Sequence, residues 1–578
     1  MFRKNTKHQQ PALISAASEL PEKQRRRLER SWADTFFNQF FLRINEEAFS
    51  VLYSDKSSRP NVPVNVLVGL EALKAGFGWS DEELYENYCY NLQVRYALGY
   101  DRLGDGDFEI RTLYYFRERL SKYNQEHGVN LLEKAFEGIT DAQITALKVR
   151  TRMQRMDSTQ IASNIVWSSR IRLLVEGLQR LERILSEADK KRLAETLAPY
   201  TADSAGHYTY RLKNKEEVQG HLQEIGQLIY RLLQELKVGY GEKPAYQVLA
   251  RLFEEQFQVK EEGAHPKENQ EISAGSLQSV DDLDATFRSK GNAHYKGYVA
   301  NITETCDPEN EVQLITKVQV APNNVDDNHL LVEALPNLKE RTGVETLITD
   351  GGYGGEISDQ VLQEQAVQLQ QSAIRGHQPN PQKMNLSAFT IKFNADNKPS
   401  KVTCPQGQIV TPQTSVQKKA FTAIFTGSVC QTCPLADQCL ARPGKRDADY
   451  HLRFTHNEAL AAGRRQRYHA QKGERPNLRA AVEASVRSVK HPFPAGKLPV
   501  RGKFRVACMM IGSAAVTNVR RIQRCLEAKM KAQKAELDEK NASDPSSKTE
   551  KESFLLNFWR RLEGWLRSKP AFNLVFGC

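Results

Sequence analysis

In the stretch TLITDGGYGG, a run of β-forming residues from Thr346 to Thr349 stops at Asp350, and two glycine pairs flank the tyrosine behind it. A carboxylate in that place can cap a turn, since Asp and Gly are ordinary turn residues. It can equally stand at the edge of a sheet and hold a cation. A second acid, Asp157, sits among β-branched residues in TRMQRMDSTQIASNIV, and a third, Glu483, lies in the basic run GRRQRYHAQKGERPNLRAAVEASVRSVKH. There Arg479, Glu483 and Lys490 fall at i, i+4 and i+11, close to one helical face. Alone, such spacing is more often a surface salt-bridge ladder than a site. Three acids from separate elements suit one chemistry well: two divalent ions about 3.5–4 Å apart activate the attacking oxygen and stabilise the leaving oxygen of a phosphodiester. Mg²⁺ prefers carboxylate oxygen and keeps several waters, so a few acids suffice. Asp281, Asp282 and Asp284 in VDDLDATF are rivals that read first as caps or hinges, with a fourth carboxylate near the metals left open.

Four of the nine cysteines cluster as Cys404, Cys430, Cys433 and Cys439. A two-residue spacer lets Cys430 and Cys433 grip one tetrahedral ion, and the flanking thiolates complete a four-sulfur structural zinc site. The other reading is a set of reduced cysteines in a small loop module. A closed site has no open coordination position, so no catalysis is assigned to it.

The elements that must position these residues follow from periodicity. Up to about residue 145 the chain reads as helical: Pro63 opens an apolar run, GFGWS breaks it, and Ser80 with Glu83 forms a capping box. RTLYYFRERLSKY sets Arg111, Arg117, Arg119 and Lys122 beside a stripe of Leu113, Phe116 and Leu120, compatible with helix-turn-helix DNA binding or with a plain bundle. After the Asp157 segment come two long apolar repeats, Ile171 to Leu185 and Val218 to Leu236, predicted as an antiparallel helical hairpin ended by a polar linker. HYKGYVANITETC and VQLITKVQV read as paired strands. A helix from about Asp326 to Arg341 leads to the strand at Thr346. Without the insertion the order is β-β-β-α-β, that of a ribonuclease-H-like fold, which sets the first and fourth strands side by side and brings Asp157 towards Asp350.

The expected fold class is therefore α/β, a ribonuclease-H-like mixed sheet core with an all-helical N-terminal domain, a helical insertion after the first strand and a small cysteine-rich insert. The expected boundaries are 1–145 for the helical DNA-binding domain, 146–168 with 278–400 for the first part of the core, and 169–277 for the helical insertion. Residues 401–445 form the zinc-knuckle insert, 446–525 the end of the core with the glutamate helix, and 526–578 a charged linker and amphipathic tail helix. The 578-residue chain is 40% hydrophobic and 26% charged, as soluble globular proteins are. Its net charge of +11 and pI near 9.0 favour a polyanionic partner. No apolar run approaches the roughly 20 residues of a bilayer span. The first residues lack a signal peptide's apolar core, and the sparse cysteines suit a reducing compartment.

The spacing Arg479, Glu483, Lys490, with MDSTQIASN and TDGGY upstream, resembles the signatures of insertion-sequence DDE transposases. The helical insertion, VDDLDATFRSKGNAHYKGY and the cysteine knuckle resemble the bacterial group numbered eleven-eighty-two, over roughly residues 35 to 525. The group has a tyrosine three positions before the arginine, where this chain has Pro476. The resemblance implies Asp157, Asp350 and Glu483 as catalytic ligands of two Mg²⁺ (or Mn²⁺) ions, a structural Zn²⁺ on the four cysteines, and Arg479 and Lys490 against phosphates of the transposon end. It implies an enzyme that binds terminal inverted repeats, cleaves the ends and transfers the strands to target DNA. Double-stranded DNA is the expected partner, with a homo-oligomer on DNA, no small-molecule substrate, no membrane span, and a cytoplasmic, nucleoid-associated location. The alternatives are a catalytically degenerate DNA-binding protein, which Pro476 keeps open, and a ribonuclease-H-like nuclease in DNA repair.

Overall fold

A computed structural model of the chain describes residues 1–542 except 10–14, 55, 57–59, 167, 203–204, 209–213, 375–383, 395, 416–419, 445–447 and 472–479. Arg479, Pro476 and the expected tail helix lie outside the described residues. The chain forms two units, one of residues 1–149, 309–314 and 512 onward, the other of 150–308 and 315–511.

In the first unit, Pro63 precedes helix α1 (Val64–Phe77), which is buried along almost its whole length. A helix apolar on all sides belongs inside a core. It packs on the C-terminal helix Lys503–Ala542 through glycine: a Cβ on Gly76 would fall 2.4 Å from Val516 Cβ, and one on Gly512 2.8 Å from Ala75 Cβ. The capping box at helix α2 (Asp81–Tyr90) is formed, with Ser80 Oγ accepting from Glu83 N and the Glu83 carboxylate accepting from Ser80 N. Helix α3 (Arg111–His127) buries the stripe of Leu113, Phe116 and Leu120. The helix Lys503–Ala542 overruns the expected linker, because its last turns are rich in Ala, Lys, Glu and Gln, all strong helix formers.

The second unit is a mixed α/β structure. Strands β1 (Met153–Ile161), β2 (Thr286–Lys290), β3 (Ala293–Thr305), β4 (Ile315–Pro322), β5 (Thr346–Thr349) and β6 (Gln368–Gln371) form one sheet. Its order is β4-β3-β1-β5-β6, with β2 pairing the outer end of β3. β1 runs antiparallel to β3 and parallel to β5, so the first strand and the strand leading to Asp350 are neighbours, as the chain order predicts. Side chains alternate between faces of a strand. Met156 and Leu347 share a core with Leu331, Leu335 and Leu338 of helix α4 (Asp327–Thr342), which covers one face. On the other face lies helix α5 (Ala480–Lys490), whose Ser485 bonds Glu304 of β3. Thus the sheet is sandwiched between helices.

The insertion holds more than the predicted hairpin: helices Arg170–Ile184, Glu187–Thr201, Lys215–Tyr240 and Pro244–Gln256 share one apolar core. The expected linker begins with a small β-hairpin, Phe257–Lys260 with Gly263–Pro266. Only Phe257 and Ala264 of its strand residues are buried, too few to give an alternating apolar pattern. The cysteine region is β-rich, with strands around a core of Phe389, Val402, Phe425, Leu452 and Phe454. Among the described residues no helix is long and apolar enough to cross a membrane.

Candidate active site

The parallel register of β1 on β5 pairs Met153 with Thr346, Gln154 with Leu347 and Arg155 with Ile348. Two residues further along each strand's line stand Asp157 and Asp350, so the register sets them level, at the C-terminal end of β5 and midway along the longer β1. Asp157, Asp350 and Glu483 all line one cavity of about 610 Å³. Lys290, Arg487, Lys490 and His491 line it too, which gives the acids a basic surround suited to an anionic substrate.

Asp350 performs the turn role as well. Its Oδ1 accepts from Gly352 N at 2.8 Å, opening the turn Gly351–Tyr353. A Cβ on Gly352 would lie 2.7 Å from Asp327 Oδ2 and 3.0 Å from Asp350 Oδ1, so glycine lets both carboxylates close in. Tyr353 packs beneath them, fully buried, its hydroxyl donating to Asn301 Oδ1 at 2.7 Å. Burial first, then the charges of Asp327, Asp157 and Asp350, push this phenol well above its ordinary range.

Asp327, absent from the sequence reading, also lines the cavity. Ser158 Oγ donates to its Oδ1 at 2.7 Å. Burial raises its pKa, the Ser158 hydrogen bond opposes that, and the Asp350 charge adds to the rise. Its signal is the place of NNVDD between β4 and α4, where an acid also reads as an ordinary helix N-terminus. Two of the rivals are engaged elsewhere. Asp281 pairs with Arg180 and with Arg501 at 2.8 Å, and buried Asp282 accepts from Ser163 at 2.8 Å and from Tyr298. Neither these nor Asp284 line the cavity.

Lys490 Nζ donates to Gln160 O at 2.9 Å and to Thr159 Oγ1 at 3.2 Å, tying α5 to β1, and burial lowers its pKa. In the first unit Arg111 and Arg119 are exposed, and the Arg119 guanidinium lies 5.1 Å over the Tyr53 ring. Arg117, expected among the DNA-binding arginines, is instead held by Glu71 and Asp81, each at 2.8 Å. Helical spacing could not reveal this, because both acids come from other helices.

Cys404, Cys430 and Cys439 pack against the same small core. Cys404 follows a strand end, and its sulfur accepts from Gln408 N at 3.3 Å in a tight knuckle. Gln408 Nε2 lies 3.7 Å from Cys430 Sγ. Burial pushes the Cys430 thiol up, Gln408 opposes, and the charges of Cys439, Cys404 and Cys433 add to the rise. Among the described residues no group of three or more His, Cys, Asp or Glu side chains is drawn into a formed metal site, the acids and these thiols included. The donor types nonetheless fit: oxygen ligands around a basic cavity suit Mg²⁺ or Mn²⁺, and clustered sulfurs suit zinc.

Two family models match the chain. A Transposase DDE domain covers residues 403–523 and a Transposase domain covers residues 18–119. The first spans the cysteine region and the Glu483 helix, the second α1 to α3 up to Arg119. Comparison with curated proteins and with solved structures returned no match. The two family matches indicate a DDE-type insertion-sequence transposase.

Proposed function

We propose that this DDE-type transposase binds the terminal inverted repeats of its own element, cleaves their ends and joins the freed 3′ hydroxyls to target DNA. The observation that carries the reading is the meeting of Asp157 from the middle of β1, Asp350 from the end of β5 and Glu483 from α5 on one cavity with basic walls. The strand order supports a ribonuclease-H-like core under that cavity. When bound by these carboxylates, a pair of Mg²⁺ or Mn²⁺ ions would activate the attacking oxygen and stabilise the leaving oxygen of the phosphodiester. The chain's own residues supply the frame. β1 and β5 hold two acids level, α5 presents the third, and Lys290, Arg487 and Lys490 screen the charge of the strand brought between them. Cleavage and joining are both displacements at a phosphodiester, so one site serves both.

Arg111 and Arg119 on α3, Arg479 and the basic stretch around it supply affinity for the duplex, whereas Arg117 holds α1, α2 and α3 together. Cys404, Cys430, Cys433 and Cys439 carry a structural zinc. The protein acts as a homo-oligomer on DNA, in the cytoplasm at the nucleoid. The test is a Glu483→Gln protein on a fragment carrying the element's own end. End binding should persist while Mg²⁺-dependent cleavage disappears. Full cleavage by that variant refutes the site, and an unaltered protein that binds the end but never cuts it favours a degenerate DNA-binding protein.

A further inference from the structure

Below the cavity, the strand bearing Asp157 and the helix bearing Glu483 meet on one buried carboxylate. Glu304 of β3 lies opposite Arg155 of β1 in the antiparallel register and has no solvent exposure. Arg155 Nε donates to Glu304 Oε1 at 2.6 Å, and Ser485 Oγ of α5 donates to Glu304 Oε2 at 2.6 Å. Arg155 and Ser485 are themselves buried, at 6% and 1% exposure. Each stands two residues from an acid of the site. Arg155 shares its strand face with Asp157, and Ser485 follows Glu483 along the helix.

A buried ion pair gains little stability over apolar packing of the same volume. What a satisfied buried network does supply is one defined arrangement, because every other arrangement strands a polar group. An apolar seam would let α5 slide or rotate on the sheet at small cost, and a metal site tolerates little of that. We infer that Glu304 is the positioning residue of the site: with Arg155 and Ser485 it fixes the height and rotation of α5, and so sets Glu483 across from Asp157 and Asp350. Glu304 does not line the cavity, so it acts through the helix and touches no substrate. Lys490, bonded to Gln160 and Thr159, anchors the same helix more than a turn further on.

The inference rests on the three acids forming one metal site, so its test separates helix order from metal binding and needs no DNA. In the full-length protein, amide hydrogen exchange over 480–490 and Mn²⁺ titration are compared for Ser485→Ala, Ser485→Thr, Glu304→Gln and Ser488→Ala. The Ser488 hydroxyl bonds Ala484 O of its own helix at 2.8 Å and serves as the control. Losing a hydrogen bond to a charged group should speed exchange across α5 by about ten- to a hundredfold in Ser485→Ala, with weaker Mn²⁺ binding and recovery in Ser485→Thr. Glu304→Gln should do at least as much, and if it fails to fold the serine variants decide. Ser488→Ala should change neither readout. Unchanged exchange in Ser485→Ala overturns the inference, as does faster exchange with undiminished Mn²⁺ affinity. Faster exchange spread evenly over β1 and β3 overturns it too, since that is general destabilisation. An unaltered protein that binds no Mn²⁺ refutes the three-acid reading instead, and the exchange of α5 alone then decides whether Glu304 fixes the helix.

Discussion

Arg117 and Arg119 look interchangeable in the sequence, yet their alanine variants should fail in opposite ways. Arg117 lies between Glu71 and Asp81 with side-chain exposures of 24%, 13% and 26%. Its removal strands two carboxylates that are largely covered. Breaking a fully buried pair costs about 3–5 kcal/mol, and breaking an exposed one under about 1 kcal/mol. Lys74 still bonds Asp81 at 2.6 Å, so the loss for Arg117→Ala should fall between those limits, at about 2–3 kcal/mol. Arg119→Ala gives up an exposed contact with the Tyr53 ring, about 0.5–1 kcal/mol. As a phosphate contact, however, its loss reduces the salt slope by about 0.9. The affinity deficit of Arg119→Ala should then shrink by about 3.5-fold between 50 and 200 mM salt. Urea unfolding and fluorescence-anisotropy titration of a labelled end fragment measure the two effects separately. Arg117→Ala should lose stability and keep the slope, and Arg119→Ala the reverse. An Arg117→Ala protein as stable as the unaltered one, with a flattened slope, would show that its guanidinium faces DNA and that the ion pairs are not made.

Three further outcomes are expected. Glu483→Gln should lower Mg²⁺-dependent cleavage by several powers of ten, on the order of what loss of an essential catalytic group costs, with end binding unchanged or tighter in gel shifts. Purified protein should contain one zinc per chain by elemental analysis, and Cys433→Ser should remove it and lower the unfolding midpoint, because structural zinc binding is folding free energy. Free alkylation of all four thiols in a zinc-free native protein would contradict this. Burial raises the Asp81 carboxyl, but Arg117 and Lys74 outweigh it and hold it below its ordinary 3.8. A native pKa below the unfolded one gives stability that is full above pH 3.8 and is lost as pH falls through the native value. The first unit should therefore weaken below about pH 4, and Asp81→Asn should flatten that slope in acid titrations followed by circular dichroism.

What the sequence discloses here is what neighbours along the chain decide. The capping box at Ser80, the apolar stripe of α3 and the end of β5 at Asp350 are each set within a few residues. The pairing of β1 with β5 could also be read, because the order of strands and helices leaves few ways to build one sheet. The cysteines were visible because their type and spacing are rare. The insertion was harder to read. Only its two most periodic helices stood out, while the charged helix Glu187–Thr201 and the small hairpin beyond the last helix carry no clean apolar period.

The residues that escaped are those whose partners lie far away and whose own surroundings offer a simpler account. Arg117 sits on an exposed-looking helix face, and only the fold brings Glu71 to it, 46 residues away. Asp327 begins a helix, where an acid needs no further reason. Glu304 is hidden in an apolar strand, with Arg155 at a separation of 149 residues and Ser485 at 181. Arg117 and Glu304 each meet an opposite charge that only the fold brings to them, and Asp327 meets Ser158 and the cavity in the same way. The acids of the cavity differ in their local surroundings: Asp350 stands just past the end of β5 at a glycine turn, while Asp157 lies midway along β1 and Glu483 within α5. A strand end is where the backbone can hold a carboxylate out to a ligand, which makes Asp350 legible, and the parallel pairing of β1 with β5 then brings Asp157 level with it. That is why Asp157 and Asp350 could be found before the buried group that governs the helix of their third partner.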